Sequence, residues 1–329
     1  MIRALYYTTD SPLDAEFPLE KFGSALQNLK GLLWVDFTDE PPGVCEPLMR
    51  DVFGFHPLAI DDALQETHTP KVDDWGSFVY IVLNAMHIND DPANGLLKMS
   101  ELDAFLGPNY IVTHHDNPIA ATDEVWYACQ RDARHLQGGA DHLMYKIADH
   151  LVAGYMPIVA EIDKAIDQIE DDIFDAPTPK TLEQIFSLKR ALLAMRRVIT
   201  PQREVLNKLA RDDYTVIDPR DRIFFRDVYD HLVRLHDLNE SMRDLVSGAL
   251  DTYLSVINNR MNEVMKTLTV ITTLFMPISF VAGFFGMNFF EPVAHMTRWT
   301  NQPAFLVMLL ITILLPISIY MWLRRRTWV

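Results

Sequence analysis

The side chains of this chain that could act on a ligand are concentrated in one run of amide, hydroxyl, thioether and small residues. Asn262, Met265, Thr269, Thr272, Met276, Ser279, Gly283 and Gly286 recur at alternating steps of three and four, the spacing of one helix face. Such groups neither attack a substrate nor carry protons. They suit either close packing against another helix, which small residues permit, or the wall of a water-filled path. One helix cannot enclose a path, so the second reading requires identical subunits arranged in a ring.

Elsewhere the chemistry is sparse. Cys45 and Cys129 lie far apart and outside any CxxC spacing, so neither a disulfide framework nor a thiolate zinc site is indicated. His87, His114, His115, His142, His150 and His236 have no ligand partner at metal spacing. No GxxxxGK[ST] phosphate loop occurs, and no convergent polar constellation suggests an enzyme. The 45 acidic and 29 basic residues give a formal charge of -16. That balance argues against nucleic acid, which requires clustered Lys and Arg, and favours a surface that attracts cations.

The elements that would position the stripe follow from pattern. Residues 1–140 mix short apolar or alternating runs (31–37, 77–88 and 109–115) with short helical patterns, which predicts an α/β domain. No apolar stretch of signal-peptide length opens the sequence, so this domain is expected in the cytosol. Residues 141–219 read as two long helices, 141–175 and 180–211. The first is acidic, with Ile158, Ile162, Ile166, Ile169 and Ile173 on one face. The second carries Leu182, Ile185, Leu188, Leu192 and Met195 among basic residues, so the two are expected to pair antiparallel. A third helix starts near Arg220 and meets no breaker until Pro277. It reads as a stalk over 220–266 running on into a membrane span, a rod approaching 100 Å at about 1.5 Å per residue.

No charge falls between Lys266 and Glu291, nor between Arg298 and Arg324. A helix of about 20 residues crosses the hydrocarbon, so each stretch is long enough to span. The spans are placed at 267–288 and 303–323, with an external loop at 289–302 and a basic tail at 324–329. A buried hairpin of a soluble protein is the alternative. Arg260 and Lys266 before the first span and Arg324, Arg325 and Arg326 after the second place both termini in the cytosol. The second span is almost purely apolar, whereas the first interleaves Thr267, Thr269, Thr272, Thr273, Ser279 and Asn288. The first is therefore the candidate pathway and the second faces lipid.

Gly286-Met287-Asn288 at the end of the first of two C-terminal spans, after NEVMKTLTVITTLFMPISFVAGFF, resembles the CorA family of GMN metal-ion transporters. FGFHPLAIDDAL (53–64), TPKVDDWGSFVYIVL (69–83), FRDVYDH (225–231) and RDLVSGALDTYLSV (243–256) extend the likeness over nearly the whole chain. The resemblance implies an α+β membrane protein: a cytosolic α/β/α domain, a stalk helix entering the first span, and a funnel-shaped homopentamer in the cell (inner) membrane. It implies a selectivity filter at Gly286, Met287 and Asn288, with Asn262, Met265, Leu268, Thr272, Met276, Ser279 and Gly283 lining the pore. Leu268 replaces the Thr269 of the stripe read from spacing. Met265 and Leu268 would form an apolar gate that closes by dewetting. Cytosolic Mg²⁺ bound between subunits by Asp62 and Asp227, with Asp61 assisting, would inhibit transport. Read without the resemblance, Asp61 and Asp62 are acids in the first turn of a helix, stabilised by its dipole, and Asp227 is an exposed residue on a long helix.

Mg²⁺ sheds water reluctantly, so a ring of neutral Asn288 amides suits a hydrated ion held weakly enough to pass. The loop Phe289-Phe290-Glu291-Pro292-Val293-Ala294-His295-Met296 departs from the family pattern, with one Glu and an added His. Imidazole favours Co²⁺, Ni²⁺ or Zn²⁺ over Mg²⁺. A ZntB-like, proton-coupled Zn²⁺ transporter is thus the nearest alternative, followed by a non-conducting membrane-anchored sensor.

Overall fold

The structure is a computed structural model and describes residues 1–65, 68–89, 95–287 and 302–325. It divides into two compact units, Met1–Leu250 and Asp251–Val329.

The first unit is built on a seven-stranded mixed sheet of order β2-β1-β3-β7-β6-β5-β4. Its strands are β1 (Ile2–Thr8), β2 (Ser11–Asp14), β3 (Gly31–Thr38), β4 (Lys71–Asp74), β5 (Val79–Ile88), β6 (Leu97–Leu106) and β7 (Tyr110–His115). Only β3 and β7 run parallel; every other pair is antiparallel. β3, β5 and β7 are buried almost throughout, because helices cover both faces and leave no polar alternation. On one face, Leu33, Val35 and Phe37 pack with Cys45, Met49, Ala59, Ile60 and Ala63 of α2 (Pro42–Asp51) and α3 (Pro57–Gln65). Successive side chains of a strand point to opposite faces, so Trp34 faces the other layer, where it meets Trp126 of α4 (Ala120–Arg131) at 4.8 Å.

The strands at 31–38, 79–88 and 110–115 fall where the apolar runs predicted them. β6 does not advertise itself, because Lys98, Glu101 and Asp103 interrupt its apolar residues, although Asp103 is buried and Glu101 half-buried.

The segment expected as one helix over 141–175 is two, α5 (Ala140–Ala153) and α6 (Tyr155–Asp175), parted at Gly154. The cause is Pro157. It has no N–H for the Ala153 carbonyl and its ring would clash there, so it is accommodated only in the first turn of a new helix. Ile158, Ile162, Ile166, Ile169 and Ile173 are all buried, as read from spacing. α7 (Pro179–Arg211) follows after a three-residue turn, and its start is fixed by a capping box of Thr178 and Thr181.

α8 (Arg222–Gly286) is one unbroken helix of 65 residues that continues through Pro277. α9 spans Gln302–Arg325. Both contain stretches long and apolar enough to cross a membrane, and those stretches are almost wholly exposed. A hairpin from the core of a soluble protein would be mostly buried, so that alternative is set aside.

Candidate ion pathway and cation-binding residues

Within the second unit, the residues of α8 after Lys266 sort into two faces. Val270, Leu274, Pro277, Ile278 and Val281 are half-buried. At about 100° per residue they centre on one side, and the stripe from Asn262 to Gly283 centres about 180° away. Asn262, Met265, Leu268, Thr272, Met276, Ser279, Gly283, Gly286 and Met287 are all exposed. A Cβ built on Gly283 or Gly286 would meet nothing within 4 Å. The stripe is therefore not packed inside the chain. Asn288, the last member of the tripeptide, lies outside the described residues, as do Glu291 and His295.

Hydroxyl orientation decides what this face offers. Thr272 Oγ1 donates to the Leu268 carbonyl at 2.9 Å, and Thr269 Oγ1 to the Met265 carbonyl at 2.8 Å. A threonine that gives its only proton to the preceding turn keeps its lone pairs for whatever lies outside. That oxygen is an acceptor alone, as a cation or its hydration shell requires. Leu268 and Thr269 are both exposed.

The acidic residues belong to the first unit. Asp61 and Asp62 stand in the second turn of α3, not the first, because the helix begins at Pro57; the dipole account of their placement is corrected accordingly. Asp61 accepts a hydrogen bond from Gln65 Nε2 at 2.8 Å. Asp62 is held by Lys71 Nζ through one oxygen, and His68 Nε2 stands 3.8 Å from the other. Lys71 pays a burial cost that lowers its pKa, yet the carboxylates of Asp62 and Asp73 outweigh this and hold the ammonium above its usual range.

Asp227, in the second turn of α8, is exposed. His231, one turn later, lies 4.0 Å from Asp227 through Nε2 and 4.0 Å from Asp149 of α5 through Nδ1. The sequence reading missed Asp149 and His231. The spacing of Asp227 and His231 on one helix face was legible, but the arrival of Asp149 from α5 was not. Among the described residues, no group of three or more His, Cys, Asp or Glu side chains in one chain is placed to hold a metal.

A second acidic group lies beneath α3. Glu101 Oε2 accepts the His68 N–H at 2.6 Å, and Asp103 is bonded to the Tyr80 hydroxyl at 2.6 Å, with His114 Nδ1 3.5 Å away. Burial, reinforced by the nearby Asp103 charge, pushes the Glu101 carboxyl up to about 8. Glu101, Asp103 and His114 line a cleft of about 180 Å³ together with Gln65 and Asp116.

An uncovered apolar helix with an acceptor stripe is thus joined in sequence to an α/β body. The chain belongs to the CorA family: residues 30–325 match the CorA-like Mg²⁺ transporter protein family. It is 33% identical over 296 residues to the putative metal ion transporter YfjQ of Bacillus subtilis (strain 168), covering 90% of each chain. It is 33% identical over 300 residues to the cobalt/magnesium transport protein CorA of Thermotoga maritima, covering 90% of this chain and 83% of that one. The zinc transport protein ZntB of Yersinia pestis is 25% identical over 275 residues, covering 83% of this chain and 81% of that one. Among solved structures, the complete CorA magnesium transporter of Methanocaldococcus jannaschii shares the fold, with a TM-score of 0.84 at 22% identity over 100% of this chain and 99% of that one. The family is one of transporters, not enzymes.

Proposed function

We propose that the chain is one subunit of a homopentameric channel that admits Mg²⁺, and to a lesser extent Co²⁺ or Ni²⁺, down its electrochemical gradient. The observation that carries this is the stripe on α8: acceptor oxygens and small residues, exposed, on the face opposite the half-buried one. Five such faces around one axis would enclose a path lined by Asn262, Met265, Leu268, Thr272, Met276, Ser279 and Gly283. Met265 and Leu268 would dewet to close it. Gly286 and Met287 turn the chain so that Asn288 forms the outer ring. Both termini lie in the cytosol, and the membrane potential drives entry with about 2.3 kcal/mol per charge per 100 mV, doubled for a divalent ion.

Inhibition by cytosolic Mg²⁺ is assigned to Asp62 of one subunit and Asp227 of the next, assisted by Asp61. Asp149 and His231 stand where they would join Asp227. Bound Mg²⁺ offsets carboxylate repulsion across the interface and so favours the closed arrangement, a shift set by differential binding.

A ZntB-like Zn²⁺ carrier is the second reading, supported by the ZntB relatives and by His295 in the outer loop. Flux into proteoliposomes, with Mg²⁺ or Zn²⁺ outside and with or without a proton gradient, separates them. Mg²⁺ entry that follows the membrane potential and ignores the proton gradient supports the channel. Zn²⁺ entry that requires the gradient supports the carrier, and flux of neither ion overturns both.

A further inference from the structure

The part of α8 in the first unit buries a strict heptad seam. Phe225, Val228, Leu232, Leu235, Asn239, Met242, Val246 and Ala249 are all buried and follow at steps of three and four. Seven are apolar. Asn239 occupies an a position, is 0% exposed, and among the described residues neither its Oδ1 nor its Nδ2 has a hydrogen-bond partner.

A neighbouring helix brings apolar side chains to this stretch. Arg196 Nε of α7 lies 3.4 Å from Glu240, which places this stretch of α7 beside Asn239. The buried residues of α7 there, Leu192, Met195, Val198 and Ile199, have no polar side-chain atoms. An amide sealed in such a seam weakens the arrangement it sits in, because burial strips its water and returns nothing. A lone polar residue at an a position trades stability for control of register.

We propose that Asn239 makes α8 bistable: a second arrangement, close in stability, rotates α8 about its own axis until the amide reaches the wet rim of the seam. Asp227 and the Asn262 stripe ride on the same helix, so the rotation re-aims both. In that coupling to transport the inference rests on the proposed function. Asn239 is thus a positioning residue that keeps the resting seam from being too stable to leave.

The test compares wild-type full-length protein with Asn239→Leu, which fills the seam with an apolar side chain of similar size. Should Asn239→Leu fail to fold, Asn239→Ile, β-branched as a positions favour, takes its place. Met242→Leu serves as the control. In detergent, Asn239→Leu is expected to raise the melting midpoint by about 3 °C and to slow hydrogen exchange over 232–246 at least tenfold. In proteoliposomes it is expected to shift the half-inhibiting Mg²⁺ concentration at least threefold. Unchanged exchange, or a lowered midpoint as a water-bonded amide would give, overturns the inference. Wild-type flux that internal Mg²⁺ does not inhibit instead overturns the functional reading, while midpoint and exchange still report on Asn239.

Discussion

Lys71 holds the Asp62 carboxylate, so under the proposed regulation it would compete with the inhibiting cation and raise the Mg²⁺ concentration that closes the channel. The Asp62 and Lys71 side chains are 32% and 28% exposed, so their pairing is screened and worth about 1 kcal/mol, or about fivefold in an equilibrium constant. Lys71→Met is accordingly expected to lower the half-inhibiting Mg²⁺ concentration by about fivefold in liposome flux. An unchanged or raised concentration would remove Asp62 from the inhibitory site. Glu101 poses the opposite problem, a carboxyl whose pKa is raised to about 8 by burial and by Asp103. An unfolded chain ionises this group near pH 4.5, so the folded state loses stability as pH rises from there to about 8 and is constant beyond. Glu101→Gln keeps an acceptor for the His68 N–H and removes the titration. Its melting midpoint is expected to exceed that of wild type by a gap that widens by about 3 °C between pH 5 and pH 8. A gap independent of pH would show that Glu101 does not titrate there.

At the scale of elements, α8 carries most of the proposed function, and Thr272 tests its acceptor face. Thr272→Val keeps the shape but loses the oxygen that the back-bonded hydroxyl turns outward. It is expected to slow Mg²⁺ flux about tenfold with unchanged inhibition by internal Mg²⁺, while Thr272→Ser restores the rate. Equal flux for Thr272→Val would mean that this face does not meet the ion. α8 was also the most legible element, because periodicity over many turns survives a single Pro277. The parting of α5 and α6 was not, since an uninterrupted apolar period hid what Pro157 does to the Ala153 carbonyl. β6 was illegible for a different reason. Glu101 and Asp103 are charged in sequence but face the interior, where Tyr80, His114 and the His68 backbone receive them. The site divides the same way. The stripe is a property of one helix and can be read from spacing, whereas Lys71 beside Asp62 and Asp149 beside His231 are meetings of separate elements that no local pattern records.

At the scale of the whole molecule, the proposed inhibitory site could lie within a chain or between chains. Within one chain, Asp62 is engaged by Lys71 and His68, and Asp227 by His231. In the proposed ring, an ion that bridges the two acids would take Asp62 from one copy and Asp227 from its neighbour. Subunits carrying Asp62→Ala and subunits carrying Asp227→Ala each lose one half of every site when assembled alone, and each is expected to need more internal Mg²⁺ for inhibition. Co-expressed, they form mixed rings in which about one interface in four pairs an intact Asp62 with an intact Asp227. Partial return of inhibition toward the wild-type concentration is therefore expected from the mixture, alongside a native mass of five times 37.8 kDa. A site contained in one chain cannot be restored by mixing, because every chain still lacks one of its acids. Inhibition no better in the mixture than in either variant alone would move the sensor inside the subunit and leave the ring without its closing contact.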